Sequence, residues 1–376
     1  MDDYERHQRI WRKLYALTHR WICRKFHLTH EDLHVDGPVL LISNHVNAWD
    51  PLLVAMSLRD KQVYYVASEH IFRWGLVAKI LERLVAPIPR RKASLGTDTV
   101  KACLRHLRAG HSVCIFAEGE QCWDGLNQPV FPATGKLAKT SGATLVTFRL
   151  EGAYLSKPRW GKGVRRGKVH GGPVKIYPPE LLKSMTAEEV NAAIDRDIAE
   201  DAWQRQRDEP VAYRGRRPAE GLERALYLCP GCGKIGTLQT KNDRIFCACG
   251  FQTRYTETGF FDPAEPFATI ADWERWQRAK LRARDFPHGK LLFSDPDIRL
   301  TRIGAEHREE LLGTGELLQY GDRLRCAGRD FLWENISSMA VVQTHLLLLS
   351  CQGEYYELRS DHGANMRKYC ELWKGR

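Results

Sequence analysis

The sequence predicts an α/β domain with a mainly parallel sheet, followed by a small cysteine-rich ribbon and a β-rich C-terminal module that ends in a helix. Three observations predict this order. Strand-length apolar runs alternate with helix-patterned segments up to about residue 210, two cysteine pairs follow within 229–249, and strand-like runs succeed one another from about residue 290. At 376 residues the chain is longer than one hydrophobic core usually grows, which agrees with several domains.

The first predicted element is a helix over residues 4–27. Apolar side chains recur there at steps of three and four: Ile10, Leu14, Leu17 and Trp21. Residues 1–30 contain seven Lys or Arg and three Asp or Glu, which leaves a charge of +4. Two interpretations stay open, a helix that lies in the headgroup layer of an anionic membrane or a packed helix with a solvated basic face.

Strands and helices alternate through the rest of the first domain. Four buried strands are predicted: 37–43, 61–68, 112–119 and 144–152. Two segments between them have helical spacing: 69–84 and 97–110, the second with Thr97 as its cap. A polar helix is predicted from Thr186 to about Asp208, because Thr186 and Glu189 have the spacing of a capping box.

Two segments interrupt the periodic pattern. Residues 157–168 carry six Lys or Arg and no acid, and their glycines predict a surface loop that faces anionic lipid. Residues 210–221 are dominated by Pro, Gly and Arg and predict a domain boundary. The predicted organisation has four parts: an amphipathic membrane-surface helix region at 1–30, the α/β domain at 31–210, the ribbon at 211–262 and the β-rich module at 263–376. The last part is similar in outline to a pleckstrin-homology domain, by shape analogy alone.

Composition narrows the expected partners and compartment. Lys and Arg total 57 against 46 Asp and Glu, and the net charge of +11 favours an anionic partner, either a phospholipid surface or nucleic acid. No apolar run reaches the roughly 18 residues of a membrane-spanning helix, and the first residues lack the pattern of a signal peptide. We therefore expect a cytoplasmic, peripheral (monotopic) protein on the inner face of an anionic membrane.

Four of the eleven cysteines form two close pairs, Cys229 with Cys232 and Cys247 with Cys249, separated by 14 residues. The pattern resembles a zinc ribbon, in which two cysteine turns supply four thiolates to a structural Zn²⁺. The second pair has one intervening residue where two are commoner, and a redox dithiol is the alternative for the first pair. Ribbons also bind nucleic acid, but interleaved aromatic residues and lysines are missing here, so we expect no nucleic-acid partner.

A histidine and an acid follow the first predicted strand directly. His45 comes after the apolar run 37–43, so we expect its side chain at the carboxyl end of the strand, where open α/β sheets bind ligands. Asp50 precedes Pro51 at a predicted helix start, and the turn between can bring its carboxylate to one imidazole nitrogen. Such an acid fixes the histidine tautomer and stabilises the imidazolium. No paired serine or cysteine nucleophile is found, so His45 would act on a substrate hydroxyl as general base.

Three further segments are expected at the same edge of the sheet. They are IPRRK at 88–92, VCIFAEGE at 113–120 and FPATGK at 131–136. In this order and spacing, NHVNAWD at 44–50 and these segments resemble the motifs of the glycerolipid acyltransferase family, the lysophosphatidate acyltransferases and their relatives. The resemblance covers about residues 10–210.

The resemblance implies the family's fold and activity. A fatty acyl group would pass from an acyl-CoA or an acyl carrier protein (acyl-ACP) thioester, the cosubstrate, to a hydroxyl of a lysophospholipid or related lipid acceptor. His45 would be the catalytic base and Asp50 its orienting acid. The implied substrate-binding residues are Asn44, Arg90, Arg91, Glu118, Gly119 and Lys136, with Arg90 and Arg91 as rivals for the acceptor's phosphate.

The sequence departs from the family at two motifs. Glu120 and Gln121 stand where threonine and arginine are usual, and Thr147 stands where the fourth motif has proline. Glutamine cannot replace the charged, two-pronged phosphate contact of an arginine. We therefore expect either an acceptor with a different headgroup or a phosphate held by Arg90, Arg91 or Lys136 alone. The alternative is a degenerate domain that binds lipid, or acts as a scaffold, without transferring acyl groups.

Overall fold

The computed structural model describes residues 3–73, 75–90, 97–304 and 308–375. The chain divides into two units, of which the first ends at Gly215 and the second begins at Arg216, with Trp160–Lys162 counted in the second. None of the described helices combines the length and the apolar composition needed to cross a bilayer.

Unit 1 contains nine described helices and seven strands. Its helices are α1 Asp3–Phe26, α2 Asp50–Ala55, α3 Leu76–Val85, α4 Thr97–Arg108, α5 Ala133–Ser141, α6 Ala153–Ser156, α7 Pro179–Ser184, α8 Ala187–Ile198 and α9 Ala202–Asp208, with a 3₁₀ turn at Glu69–Arg73. Its strands are β1 Leu28–His30, β2 Val39–Ser43, β3 Val63–Ser68, β4 Ile88–Arg90, β5 Ser112–Ile115, β6 Thr144–Glu151 and β7 Val169–Tyr177.

The seven strands form one sheet in the order β1-β7-β6-β2-β5-β3-β4. Every neighbouring pair is parallel except β6 with β7, so the predicted mainly parallel sheet is confirmed. Strand β2 lies at its centre between β5 and β6, and all five of its residues are buried. The carboxyl ends of β2 and β5 therefore lie side by side, which brings together the residues that follow them.

Helix α1 is present as predicted, and the structure shows which of its faces packs on unit 1. Its buried residues are His7, Trp11, Ile22 and Phe26. Trp11 Nε1 donates to the Leu58 carbonyl at 2.7 Å, whereas Leu17 and Trp21 are 78% and 52% exposed. The face that carries Leu17 and Trp21 is therefore not part of the packing.

Three strands were missed by the sequence prediction, namely β1, β4 and β7. The first two have only three residues each, too short to show a period. The third, VHGGPVKIY, contains two glycines and a proline, which are uncommon within strands and gave no strand signal. It pairs antiparallel with β6, and the register of that pairing shifts next to Pro173.

The predicted helix from Thr186 to Asp208 is two helices. Thr186 and Glu189 form the expected capping box of α8, but that helix ends at Ile198. The Asp201 side chain then accepts hydrogen bonds from the N–H groups of Trp203 and Gln204, which starts α9 anew.

The loop 157–168 is also more buried than predicted. Arg165 is 5% exposed, and the Arg159 side chain is 3% exposed. The prediction was a surface loop that faces anionic lipid, but at least two of its six cations are buried in the protein.

Unit 2 contains eleven described strands and two α-helices. The strands are β8 Leu238–Lys241, β9 Arg244–Cys247, β10 Gln252–Tyr255, β11 Phe261–Asp262, β12 Leu291–Ile303, β13 Glu309–Tyr320, β14 Arg323–Cys326, β15 Arg329–Leu332, β16 Ile336–Val342, β17 Leu346–Cys351 and β18 Glu354–Ser360. The helices are α10 Ile270–Arg282 and α11 Arg367–Lys374, and 3₁₀ turns lie at Leu222–Arg224 and Trp333–Asn335.

Two antiparallel sheets make up unit 2, in the orders β11-β10-β9-β8 and β15-β14-β13-β12-β18-β17-β16. A buried ion pair between Arg367 and Glu274 joins α11 to α10. The Arg367 guanidinium also donates to the Ala225 carbonyl at 3.0 Å, and Trp273 Nε1 donates to the Leu228 carbonyl at 3.0 Å. Both helices therefore hold the segment that leads into Cys229, and the cysteine-rich and β-rich parts belong to one unit.

Candidate active site

His45 lies at the carboxyl end of β2, as its position after an apolar run predicted. Its Nδ1 is 2.8 Å from Asp50 Oδ2, and its side chain is 19% exposed. The ring stacks on Phe116 with the ring centroids 4.4 Å apart. Among the described residues no hydrogen bond occupies Nε2, so this nitrogen is the one that can receive a proton from a ligand.

Asp50 is fully buried at the first residue of α2. Its Oδ2 also accepts hydrogen bonds from the backbone N–H groups of Val46 at 2.5 Å and Asn47 at 2.8 Å. These two donors fold the turn back on itself and fix the carboxylate against the imidazole. The arrangement holds Nδ1 as the protonated nitrogen and leaves Nε2 as the base.

Asn44, predicted to bind substrate, is instead buried and hydrogen-bonded to the neighbouring strand. Its side chain is fully buried, its Nδ2 donates to the Leu150 carbonyl at 2.9 Å, and its Oδ1 accepts from Leu150 N–H at 2.8 Å. The amide continues the pairing of β2 with β6 beyond the end of the strand. As a correction, Asn44 is a positioning residue that fixes the backbone in front of His45.

Glu118 follows β5 and reaches across to the backbone of His45. Its Oε1 accepts from His45 N–H at 2.7 Å and from Asn127 Nδ2 at 2.8 Å, while Oε2 accepts from Gln128 N–H at 2.7 Å. Burial raises the pKa of Glu118 to about 7, although the three donors oppose the shift. The carboxyl therefore organises the loop under His45, and sequence reasoning had no signal for Asn127 or Gln128.

Gly119 allows a close approach that another residue would block. Its φ is +74°, and a Cβ built on it would lie 2.2 Å from Phe131 Cε2 and 3.1 Å from Arg90 Nη1. The Arg90 guanidinium lies over the Phe131 ring at 4.5 Å. Burial lowers the pKa of Arg90. Arg90 is thus the predicted cation that the structure brings next to the Glu118–Gly119 turn.

The other two predicted cations have different outcomes. Arg91 lies outside the described residues. Lys136 is exposed on the first turn of α5, and within the described part of the chain no hydrogen bond or ion pair joins its side chain to the residues around His45.

Arg159 lies where the family's pattern is altered, and the sequence did not indicate it. Its guanidinium lies 3.9 Å from the centroid of the Trp123 ring, its Nη1 donates to the Gln121 carbonyl at 3.0 Å, and Nη1 is 3.7 Å from Glu120 Oε1. The acid that replaces the family's threonine, Glu120, thus has a cation partner in Arg159, a residue far along the chain. Glu120 is compensated, and it does not add an unpaired negative charge.

Cys122 is buried next to the backbone of His45. Burial raises the pKa of its thiol well above the ordinary value. Its backbone N–H donates to the His45 carbonyl at 2.9 Å, so it helps to fix the backbone of His45.

A groove of about 610 Å³ runs beside β4 and α4. It is lined by Ile88, Pro89, Ala102 and His106 among others, and His45 is not among the lining residues. His45 and Asp50 lie instead at the rim formed by the carboxyl ends of β2 and β5.

A comparison with known protein families finds a match within unit 1. Residues 25–151, about a third of the chain, match the family model described as Acyltransferase. The match includes His45, Asp50, Arg90 and Glu118. Unit 1 therefore carries an acyltransferase domain, and the predicted acyltransferase class is confirmed.

Among solved structures, one similar chain is the crystal structure of the 1-acyl-sn-glycerophosphate (LPA) acyltransferase, PlsC, from Thermotoga maritima. It is 15% identical, the similarity covers 51% of this chain and 78% of that chain, and the TM-score is 0.41.

The four paired cysteines of unit 2 come together as predicted. Cys229 Sγ is 3.6 Å from Cys249 Sγ, Cys232 Sγ is 3.9 Å from Cys247 Sγ, and all four sulfurs lie within 4.8 Å of one another. Bonds of about 2.3 Å to a tetrahedral ion place sulfurs about 3.8 Å apart, so the set fits zinc.

Proposed function

We propose that this protein is a glycerolipid O-acyltransferase, which transfers a fatty acyl group from a thioester of coenzyme A or acyl carrier protein to a hydroxyl of a lysophospholipid or related lipid. One observation carries the proposal: His45 Nδ1 is 2.8 Å from a fully buried Asp50 carboxylate, while Nε2 is left for a ligand. The acyltransferase match over 25–151 supports it.

The reaction follows from this pair. The acceptor hydroxyl donates to His45 Nε2, gives up its proton there, and its oxygen forms a bond to the thioester carbonyl carbon. The carbon–sulfur bond then breaks, and the leaving thiolate takes the proton back from Nε2. Asp50 stabilises the imidazolium between these two transfers. General-base assistance of this kind is worth about 10²–10⁴-fold in rate.

Arg90 is the proposed contact for the acceptor's headgroup. It is close to Gly119, and its lowered pKa reflects a site with little water, where a guanidinium binds phosphate strongly. Since Gln121 offers no charge and Arg159 is paired with Glu120, a single well-placed guanidinium remains for this role among the described residues of the rim. A lysophospholipid with one phosphate near its free hydroxyl fits that supply of charge.

An anionic membrane surface is the proposed place of action, reached through α1. Leu17 and Trp21 are exposed on one face of the helix, and the exposed Arg20 and Arg24 lie on the same face by helical spacing. Lys25 Nζ lies 4.8 Å from the Trp21 ring centroid. Basic and aromatic side chains together suit the headgroup layer, where each cation contributes about 1 kcal/mol. Binding on the inner, cytoplasmic face remains part of this proposal.

In unit 2 we propose a structural zinc ribbon at Cys229, Cys232, Cys247 and Cys249. A bound Zn²⁺ would supply cross-linking of the two cysteine turns, and four thiolates leave no position for a substrate. For the C-terminal part we propose a pleckstrin-homology-like outline, by shape analogy. Its seven-stranded sheet is followed by α11, which supports this proposal.

The test is acyl transfer by the purified full-length protein. Labelled acyl-CoA is incubated with a panel of lysophospholipids, and labelled product lipid is measured for the unchanged protein, for His45→Ala and for His34→Ala, a control at an exposed histidine. We expect a diacyl product with at least one acceptor, normal product with His34→Ala, and a loss of about 10²-fold or more with His45→Ala. A His45→Ala protein as active as the unchanged one would overturn the proposal.

A further inference from the structure

Three side chains with metal-binding atoms meet at the corner between α1 and β1, outside the site described above. His19 and Cys23 are one turn apart on α1, and His30 is the last residue of β1. His19 Nε2 is 2.8 Å from His30 Nε2, and Cys23 Sγ is 3.6 Å from His19 Nε2. The three donor atoms all lie within 4.8 Å of one another.

The backbone, rather than these side chains, creates the meeting. Helix α1 ends at the buried Phe26, and His27, with a φ of +49°, turns the chain directly into β1. Strand β1 is fixed by parallel pairing to β7, with His30 opposite Gly171. Above the corner, the Tyr15 hydroxyl donates to the Met56 carbonyl at 3.1 Å and holds the helix in place. The three donors are therefore brought together by backbone pairing and by contacts of other side chains.

The distances approach those of a tetrahedral zinc site. Bonds of about 2.0–2.1 Å to nitrogen and about 2.3 Å to sulfur place a nitrogen and a sulfur about 3.6 Å apart and two nitrogens about 3.4 Å apart. The Cys23–His19 distance of 3.6 Å agrees. The two imidazole nitrogens, at 2.8 Å, would have to separate by about half an ångström, which small side-chain rotations provide. One thiolate and two imidazoles are a preferred donor set of Zn²⁺.

His30 also has the second contact that metal-binding histidines usually have. Its Nδ1 is 3.4 Å from Asp32 Oδ1, and it is buried without a hydrogen-bond partner among the described residues. Histidine ligands commonly donate the N–H opposite the metal to a carboxylate, which fixes the ring. With Nε2 turned towards His19 and Nδ1 towards Asp32, His30 is oriented as a ligand of this kind.

We propose that His19, Cys23 and His30 bind a zinc ion, with Asp32 supporting His30 and water in the fourth position. The ion would join the C-terminal half of α1 to the edge strand β1. It would thereby fix the helix whose exposed face carries Leu17 and Trp21. The inference is independent of the acyl-transfer proposal, because none of the three ligands contacts the residues around His45.

Zinc content per chain tests the proposal without measuring activity. The full-length protein is purified, and bound zinc is measured in the unchanged protein and in His19→Gln, Cys23→Ser and His30→Gln variants, with the exposed His34→Gln as control. We expect each ligand variant to bind one equivalent less than the unchanged protein, and the control to bind the same amount. Because the readout is a difference of one equivalent, it does not depend on the four-cysteine site of unit 2.

A second measurement identifies the ligands. After replacement of zinc by Co²⁺, the absorption of the Cys23→Ser protein should lack the component of a site with one thiolate and keep that of a four-thiolate site. Circular dichroism shows whether each variant is folded, and three independent substitutions guard against one that is not. Folded ligand variants with the same zinc content as the unchanged protein would overturn the proposal, as would an equal loss in the His34→Gln control. Either result would indicate that the His19–His30 contact is a hydrogen bond and not part of a metal site.

Discussion

Glu118 is a buried carboxyl that fixes the backbone of His45, the proposed base. It accepts three hydrogen bonds, one of them from the backbone N–H of His45, and its pKa is raised by burial to about 7. Because the folded-state pKa lies above the ordinary value, the contribution of this group to stability is largest at low pH and decreases as the pH rises through about 7.

We predict that Glu118→Gln lowers acyl transfer, because an amide NH₂ would face a backbone N–H donor at one of the two oxygens and move the His45 backbone. An unsatisfied buried donor costs about 1–3 kcal/mol. Denaturant unfolding of both proteins at several pH values checks the titration. The stability of the unchanged protein relative to Glu118→Gln should fall between about pH 4.5 and pH 7, by about 3 kcal/mol in all, because folding raises the pKa from 4.5 to about 7. A pH-independent difference would contradict the account of Glu118.

Arg90 and Lys136 offer a matched comparison, since both were predicted to bind substrate and only Arg90 lies beside Gly119. We predict that Arg90→Lys lowers kcat/KM for a phosphate-bearing acceptor by about 10–100-fold, because a charged hydrogen bond contributes about 1.5–3 kcal/mol and lysine lacks the guanidinium fork. Lys136→Ala should change it by less than about threefold. Initial rates over a range of acceptor concentrations separate the two, and a greater loss with Lys136→Ala would reassign the headgroup contact.

The limits of sequence reasoning at the residue scale follow from sequence separation. His45 and Asp50 are five residues apart, and the short turn after the strand keeps them near each other. Their pairing could therefore be predicted. The Asn44 amide and the Glu120–Arg159 pair depend on contacts 106 and 38–39 residues distant along the chain, which no local pattern contains. The His19–Cys23–His30 cluster had a visible signal, a His and a Cys four residues apart on a helix, but its third member comes from the next strand.

At the scale of elements, α1 shows that the bounds of a helix can be predicted from sequence although its packed face is not specified. The boundaries at Asp3 and Phe26 lie within one residue of the predicted ones. Of the apolar residues that indicated the helix, Leu17 and Trp21 are 78% and 52% exposed, while Trp11, Ile22 and Phe26 are buried. Apolar spacing indicates a helix. Which face of that helix packs depends on contacts with the rest of unit 1.

We predict that the exposed face of α1 contributes to membrane binding. Replacing Leu17 and Trp21 together by Gln should weaken binding to vesicles that contain anionic lipid by about tenfold or more, since burying each such side chain is worth about 1.5–3 kcal/mol. Leu311→Gln, at a strand residue that is 62% exposed, is the matched control. Sedimentation with vesicles measures the partition. Equal binding by the double variant and the control would remove α1 from the membrane contact.

At the scale of the whole molecule, the chain assigns different tasks to its two units. Unit 1 holds the acyltransferase domain, with His45, Asp50 and the Glu118 turn after the ends of adjacent parallel strands. Unit 2 holds the four cysteines and two antiparallel sheets. Helices α10 and α11 contact the segment that leads into Cys229. The alternation of strands and helices was sufficient to predict the parallel sheet, because that topology requires helical crossovers. The sharing of one unit by ribbon and β-rich module was not predictable, since it rests on contacts between distant residues, from Arg367 to the Ala225 carbonyl and from Trp273 to the Leu228 carbonyl.

The central claim is that His45 and Asp50 act together as one catalytic unit, and a double-mutant comparison tests it most directly. Acceptor-dependent release of free thiol from acyl-CoA is measured for the unchanged protein, His45→Ala, Asp50→Asn and the double variant, each verified as folded. We predict that His45→Ala alone removes about 10²–10⁴-fold of the rate, and that adding Asp50→Asn removes little more, because the acid acts only through the imidazole. Losses that multiply in the double variant, or a His45→Ala protein with full activity, would contradict the account.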